Sequence, residues 1–352
     1  MKRILLLGAT GSIGSTVLRS IEPYKDQIGL HGATGFSSLQ ALEGIKSIYG
    51  CRIASSHDDI MALIDSCNYD LVINAIAGTA GFEYSLRACK TGIPLALANK
   101  ETIVLGGRLA LDSASPVIPL DSEHSAIDLL IKAHGRKNID RILITASGGP
   151  FLGRGKDELK SMTAEMAARH PTWSMGRKIS IDSATLANKA LEILEAKALF
   201  DLPIEVVIHP QSIVHSMVLT KSGQVYAQMS PPDMAFPIAQ AIVNALGIEQ
   251  TAYPAPVLDF GSLDLHFQQG PQDGFVGLAM RIKDQKQSLK AAFLASDEVA
   301  VEAFCSHRIG FLDIFDIVQR TVEGFEQRDL ASSQDCLDCL EEAKEKARSL
   351  IG

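Results

Sequence analysis

The sequence is short of cysteine, tryptophan and positive charge, and each shortage excludes something. Cys51, Cys67, Cys89, Cys305, Cys336 and Cys339 are the only 6 cysteines in 352 residues. They are too few and too scattered for a disulfide framework, so they read as small buried hydrophobes. Cys336 and Cys339 have CxxC spacing, but without a second pair or a nearby His they do not read as a zinc site. The 33 Lys and Arg are outnumbered by 41 Asp and Glu, for a formal charge of -8. A surface of that sign repels DNA and anionic lipid as a whole, so an anionic ligand must be captured locally. Apolar runs are short: Gly8 interrupts MKRILLLGATGS before the length of a signal peptide or membrane span, and the expected location is cytoplasmic. A hydrophobic content of 46% with 21% charged residues excludes disordered, collagenous and low-complexity classes, and no solenoid period repeats.

What remains is an ordinary packed chain whose length predicts two to three domains. Over its first 120 residues the runs RILLLG, IGLHGAT, CRIAS, DLVINA, IPLALA and PVIPL alternate with segments of helical periodicity. Six strands with crossover-length connections imply a parallel sheet covered on both faces, hence an α/β, doubly wound domain over residues 1–120. DRILITA is one more buried strand, and a long irregular loop from Ser147 to Asp182 follows it. IEVVIH, SIVHSMVLT and QVYAQM come next, the last two joined through Lys221, Ser222 and Gly223 as a hairpin. Residues 121–246 therefore read as a second α/β domain. Residues 247–274, with Pro254, Pro256 and Pro271, read as a connecting arm, and residues 275–352 as a small all-helical domain.

RILLL runs straight into Gly8-Ala-Thr-Gly11-Ser-Ile-Gly14 and then a helical stretch. A strand, glycine turn and helix in that order let backbone N–H groups and a helix N-terminus approach a pyrophosphate, which points to a bound dinucleotide. At the end of the second strand, where a carboxylate would take the ribose hydroxyls of NAD, the chain has Ala33, Thr34, Gly35, Phe36, Ser37 and Ser38. No acid opposes a 2′-phosphate there, and the hydroxyls of Thr34, Ser37 and Ser38 could accept one, so NADP is favoured.

Asp121 and Glu123 follow the strand PVIPL. In extended backbone they would share a face at the carboxyl end of the sheet and converge on one cation, although taken alone an acidic N-terminal turn capping the helix that starts near His124 is the stronger reading. In SATLANKALEILEAKALF, Ala187, Leu191, Leu194 and Ala198 form an apolar stripe while Asn188, Lys189 and Glu192 share another face. Glu195 is close enough in projection to rival Glu192 as a ligand, and Ser183 is placed to cap that helix. Ser147-Gly-Gly-Pro150 resembles an anion-binding turn. Asn99, Lys100 and Glu101 end IPLALA and either face a nicotinamide or start a helix with an Asn cap. Trp173, the only tryptophan, lies among polar residues with His170 and Met175, as a hydrophobic anchor or as a lid that excludes water.

Taken together, GATGSIG, ALANKE, PLDSEHSAI, SGGPF, HPTWSMGRKISIDSATLANKALE and HPQSIVHSM closely resemble the 1-deoxy-D-xylulose 5-phosphate reductoisomerase family over nearly the whole chain. The resemblance implies a Rossmann-like NADPH-binding first domain, a second α/β catalytic domain with a mobile lid and dimerisation strands, and a homodimer. It implies rearrangement and reduction of 1-deoxy-D-xylulose 5-phosphate to 2-C-methyl-D-erythritol 4-phosphate with Mg²⁺, Mn²⁺ or Co²⁺. By motif, Asp121, Glu123 and Glu192 would hold the metal. Thr10, Gly11, Ser12 and Ile13 would hold the cofactor phosphates, with Gly35, Phe36 and Ser37 at its adenosine end and Asn99, Glu101 and Gly176 along it. Ser147, Ser183, Asn188 and Lys189 would bind the substrate phosphate and its neighbouring oxygens. Ser122, Lys100 and His170 would lie nearer the reacting carbons, under a lid carrying Trp173 and Met175. Among these, Lys100, Glu123, His170 and Lys189 are the catalytic candidates. The family usually carries a basic residue and an Asn where this chain has Phe36 and Ser37, which bears on the strength of NADPH preference and not on the reaction. A semialdehyde dehydrogenase would share the first domain but needs a nucleophilic Cys in the second, and residues 121–247 contain none.

Overall fold

A computed structural model of the chain describes residues 1–36, 38–169, 173, 176–250 and 258–351. It divides into two compact units.

The first unit is built on β1 (Lys2–Leu7), β2 (Ile28–Thr34), β3 (Arg52–Ala54), β4 (Leu71–Asn74), β5 (Leu95–Leu97) and β6 (Val117–Pro119). They form one parallel sheet in the order β3-β2-β1-β4-β5-β6. The pattern follows from the residues: Ile4 to Leu7 and Leu71 to Ile73 are continuous apolar runs with no exposed side, as strands buried on both faces require. The strand order reverses between β1 and β4, which opens a crevice at the carboxyl ends beside the glycine turn.

The units depart from the sequence boundaries in three places: residues 104–107 fall in the second unit, and residues 121–132 and the segment from Asp233 fall in the first. The helix Ala235–Leu246 belongs to the first unit, although residues up to 246 were expected in the second domain. Ile238, Ile242 and Leu246 recur at four-residue spacing and are buried in one cluster with Val17, Ile21, Leu6 and Ile73. Arg19 also pairs with Asp233 at 2.7 Å, and Ser20 Oγ donates to the Ala235 carbonyl at 3.3 Å. That apolar stripe has its partner surface in the first unit, which chain order does not reveal.

The second unit carries a five-stranded sheet ordered β10-β9-β7-β8-β11, from β7 (Ile139–Ala146), β8 (Ile204–Ile208), β9 (Val214–Thr220), β10 (Val225–Met229) and β11 (Gln268–Gln269). β7 and β8 are parallel, and the remaining pairs are antiparallel. The β9–β10 hairpin turns at Lys221 to Gly223 as expected, with Gly223 N donating to Thr220 O at 2.9 Å. β11 was not expected: two residues of the arm pair with the edge of β8. The stretch from Ser147 to Asp182 is less irregular than its composition suggested, holding the helices Lys156–Leu159, Ala164–Ala167 and Arg177–Thr185. Caps explain the second of these, where the Thr163 hydroxyl accepts from Met166 N at 3.3 Å.

Four helices, Gly274–Ile282, Gln287–Cys305, Asp313–Glu323 and Ser333–Ile351, make up the described C-terminal residues. Phe275 meets Phe293 and Phe315 edge-on at 5.8 and 5.2 Å. Cys336 and Cys339 are buried one helical turn apart, and burial pushes their thiols up to about 12 and about 11.

Candidate functional site

At the end of β1 the chain turns through Gly8 to Gly11, with Gly11 N donating to Gly8 O at 3.1 Å, and enters the helix Ser12–Ile21. A Cβ on Gly14 would lie 2.2 Å from Gly8 O, so only glycine lets the helix start this close to the strand. Gly11 stands at the N-cap without a side-chain cap bond, so the start of the helix at Ser12 and Ile13 is the local place for an anion to meet backbone N–H groups. Two of the hydroxyls expected at a 2′-phosphate are otherwise engaged. Thr34 is fully buried and its hydroxyl accepts from Gly8 N at 3.0 Å, while Ser38 Oγ accepts from Ala41 N at 3.2 Å as a helix cap. Ser37 lies outside the described residues. Gly35 N donates to Ala54 O at 3.3 Å, and Phe36 is exposed.

The acidic corner follows β6. Asp121 precedes the helix Ser122–His134 and accepts from Glu123 N at 3.2 Å. The two acids therefore span a helix start, not extended backbone, and the capping and cation-binding readings of Asp121 are compatible. Lys100 Nζ donates to Asp121 Oδ2 at 2.8 Å, and His124 Nδ1 lies 3.4 Å from Oδ1. Burial alone pushes the Asp121 carboxyl up, but Lys100 and His124 outweigh it and hold the group well below the usual carboxylate range. Ser122 Oγ donates to the Glu123 carboxylate. His124, fully buried, is a residue the sequence reading missed; its signal was the three-residue spacing from Asp121 on one helix face. Asn99 proves to be a cap: its Oδ1 accepts from Thr102 N at 3.0 Å and its Nδ2 donates to the carbonyls of Ile76 and Gly78 at 2.8 and 2.7 Å. Glu101 lies in the first turn of the helix Lys100–Gly106 that Asn99 caps.

In the second unit the expected long helix is two. The helix Arg177–Thr185 ends at Leu186, whose φ of +68° is left-handed, and Ala187–Phe200 begins immediately after. Ser183 thus lies inside the first helix and does not cap the second, because the break falls three residues later. Asn188 Nδ2 donates to Glu192 Oε1 at 2.5 Å, and Lys189 pairs with the same carboxylate while donating to Thr145 O at 2.5 Å. Lys189 is 5% and Glu192 1% exposed, so this polar face is turned inward and is not a solvated surface. The helix leads on to β8, which is parallel to β7, so its first turns stand at the carboxyl end of β7, where Thr145 is. Thr145 Oγ1 in turn donates to the carbonyls of Val214 and His215 at 2.8 and 2.9 Å.

The Ser147-Gly-Gly turn packs against the same corner. Gly149 N donates to Ser147 Oγ at 3.2 Å, and a Cβ on Gly149, at φ +70°, would come within 2.4 Å of Ser183 O. Ser147, Ser183, Asn188, Lys189 and Glu192 are therefore supplied by one strand end and two consecutive helices. Trp173 is half-buried, 6.3 Å from the His215 ring and edge-on to it, and Ser230 Oγ lies 2.8 Å from His215 Nε2. Gly176 is the N-cap of the Arg177–Thr185 helix. His170 and Met175 lie outside the described residues.

Comparison with known proteins points in one direction. Residues 117–200 match the family profile described as the 1-deoxy-D-xylulose 5-phosphate reductoisomerase C-terminal domain. Residues 229–350 match the DXP reductoisomerase C-terminal domain, and residues 43–107 match 1-deoxy-D-xylulose 5-phosphate reductoisomerase. The 1-deoxy-D-xylulose 5-phosphate reductoisomerase of Treponema pallidum (strain Nichols) is 40% identical over 370 residues, covering 100% of this chain and 98% of the relative. That of Treponema denticola is 43% identical over 344 residues, covering 91% and 90%. Among solved structures, the reductoisomerase from Zymomonas mobilis in complex with NADPH superposes with a TM-score of 0.89 at 33% identity, covering 99% of each chain. A DOX-P reductoisomerase in complex with NADPH, fosmidomycin and magnesium superposes with a TM-score of 0.90 at 31% identity, covering 100% of this chain and 98% of the other.

Proposed function

The chain belongs to the 1-deoxy-D-xylulose 5-phosphate reductoisomerase family of NADP-dependent oxidoreductases, and from that premise we propose that it converts 1-deoxy-D-xylulose 5-phosphate to 2-C-methyl-D-erythritol 4-phosphate in isoprenoid precursor synthesis. The observation that carries this reading is an acid–base pair largely withdrawn from water in each unit, Lys100 with Asp121 at 13% and 16% exposure and Lys189 with Glu192 at 5% and 1%. Burying such pairs costs several kcal/mol of desolvation, a cost that a ligand-binding role explains.

Asp121, Glu123 and Glu192 are the metal ligands in this proposal. An all-carboxylate donor set suits Mg²⁺ or Mn²⁺, with Co²⁺ as a family alternative. The uncapped turn at Thr10 to Ile13 and the close approach at Gly14 fit the pyrophosphate of NADPH, with Asn99, Glu101 and Gly176 further along the cofactor. When bound, the ion supplies Lewis-acid polarisation of substrate oxygens and the nicotinamide supplies hydride. The protein's share is to position and exclude. Ser147, Ser183 and Asn188 receive the phosphate end, and Lys189 orients the Glu192 carboxylate and neighbouring substrate oxygens. Lys100, with Asp121 accepting from its ammonium, faces the reacting carbons together with Ser122 and His170. Trp173, against His215, covers the site against water, which matters because a fragment of the rearranging substrate must not escape.

The proposal includes a homodimer acting in the cytoplasm on a small phosphorylated sugar. None of the described helices is long and apolar enough to cross a membrane. The test is loss of the NADPH absorbance band on adding 1-deoxy-D-xylulose 5-phosphate. Oxidation that stops with a chelator and returns with Mg²⁺ is expected; oxidation indifferent to the chelator, or none with metal present, refutes the reading.

A further inference from the structure

Phe36 leaves a large apolar ring in water, with 53% of its surface exposed, and that ring has an aromatic foundation. Its centroid lies 6.0 Å from that of Tyr84, a buried residue of the helix Phe82–Cys89 that follows β4. The Tyr84 ring lies 5.5 Å from His57, and its hydroxyl is 3.1 Å from His57 Nδ1. His57 is the first residue of the helix after β3. The segments following β2, β3 and β4 thus each contribute one ring to a row that ends at the surface on Phe36.

The position of the row identifies its occupant. A Cβ on Gly35 would lie 2.7 Å from Thr10 Oγ1, so the end of β2 is pressed against the glycine turn and Phe36 stands one residue from it. In a doubly wound domain a dinucleotide with its pyrophosphate on the first glycine turn lays its adenosine across the carboxyl end of the second strand. Charge complementarity is absent: residues 31–45 contain no Lys or Arg, and Asp58 and Asp59 lie in the first turn beside His57. After burial, Glu83 is the cause that raises the Tyr84 hydroxyl. What this surface offers an adenosine is a π face.

Resting on the NADPH reading above, we propose that Phe36 is the stacking platform for the cofactor's adenine ring, that Tyr84 supports Phe36 and that His57 anchors Tyr84. Discrimination between NADP⁺ and NAD⁺ is then made by other groups. Calorimetric titration of the full-length protein with NADP⁺, NAD⁺ and adenosine 5′-diphosphate tests this without turnover. Phe36→Ala raises all three dissociation constants by a similar factor, roughly 10-fold for a base losing its aromatic partner, and leaves the NADP⁺ to NAD⁺ ratio unchanged. Phe36→Trp restores the affinity, and Phe36→Leu does not. If Phe36→Ala stays within about twofold of the parent or weakens NADP⁺ alone, or if Phe36→Leu binds all three ligands as tightly as the parent, stacking is overturned while the cofactor assignment stands. Failure of the unaltered protein to bind NADP⁺ overturns both.

Discussion

Glu192 and Glu195 lie one helical turn apart and are equally buried, at 1% exposure each, so burial does not separate them as ligands. Glu192 is held by Asn188 four residues before it and Lys189 three before it, the spacing at which helical side chains meet. A carboxylate held this way keeps one orientation for an incoming cation, as hydrogen-bonded ligands in metal sites do. Glu192→Gln retains the shape and removes the charge. We expect turnover to fall by about 100-fold or more, in the upper range for disturbed metal sites, while NADP⁺ affinity is unchanged by titration. Unaltered kcat at saturating Mg²⁺ would remove Glu192 from the ligand set. His124 has a comparable role at Asp121, supporting one carboxylate oxygen while Lys100 supports the other.

At the scale of elements, the break at Leu186 decides how the polar residues are presented. A continuous helix from Ser183 onward satisfies the apolar periodicity, and no glycine or proline marks an end. A left-handed Leu is uncommon and has no compositional signature, so the interruption was not legible. The helix before the break is tethered by an ion triad of a partly exposed lysine and two buried carboxylates. Lys178 Nζ donates to Asp182 at 2.6 Å and, on the helix Gln287–Cys305, to Asp297 at 2.7 Å, with the carboxylates 4% and 1% exposed. Burial alone pushes the Lys178 ammonium down, but the two carboxylates outweigh it and hold it well above the ordinary lysine value. The stability this shift provides is complete below the unfolded value near about 10.4 and is lost as pH rises through the higher folded value. Lys178→Met leaves two buried carboxylates facing each other and should cost about 3 kcal/mol at neutral pH. Because those carboxyls then take up protons more readily than in the unfolded chain, the gap in Tm between variant and parent should narrow as the pH is lowered from 7 to 5. A gap independent of pH would show that lost packing, not unpaired charge, is responsible.

Across the whole molecule, the first unit is closed by a segment that arrives more than a hundred residues after its last strand. The helix Ala235–Leu246 completes the core with Ile238, Ile242 and Leu246. Ile242 is fully buried, so Ile242→Ala should lower stability by about 2 to 5 kcal/mol. Adding NADP⁺ should recover part of the loss in Tm, since a ligand of the native first unit stabilises by mass action. If Ile242→Ala unfolds at the parent temperature, the segment is not part of that core.

The six strands, their parallel doubly wound class and the glycine turn at Gly8, Gly11 and Gly14 were legible in the sequence alone, because buried parallel strands are continuous apolar runs and a phosphate turn needs glycine at fixed spacing. The clustering of Asn188, Lys189 and Glu192 on one helix face was legible too, since helical periodicity places residues three and four apart together, but that the face is turned inward was not. Tertiary structure decided the rest. It set Lys100 and His124 on Asp121, joined Lys178 to Asp297, returned residues 233–250 to the first unit, and backed Phe36 with Tyr84 and His57. Apart from His124 with Asp121, these partnerships link residues distant in the chain, and they depend on which surfaces the packed strands and helices bring within reach, a choice that local periodicity does not encode.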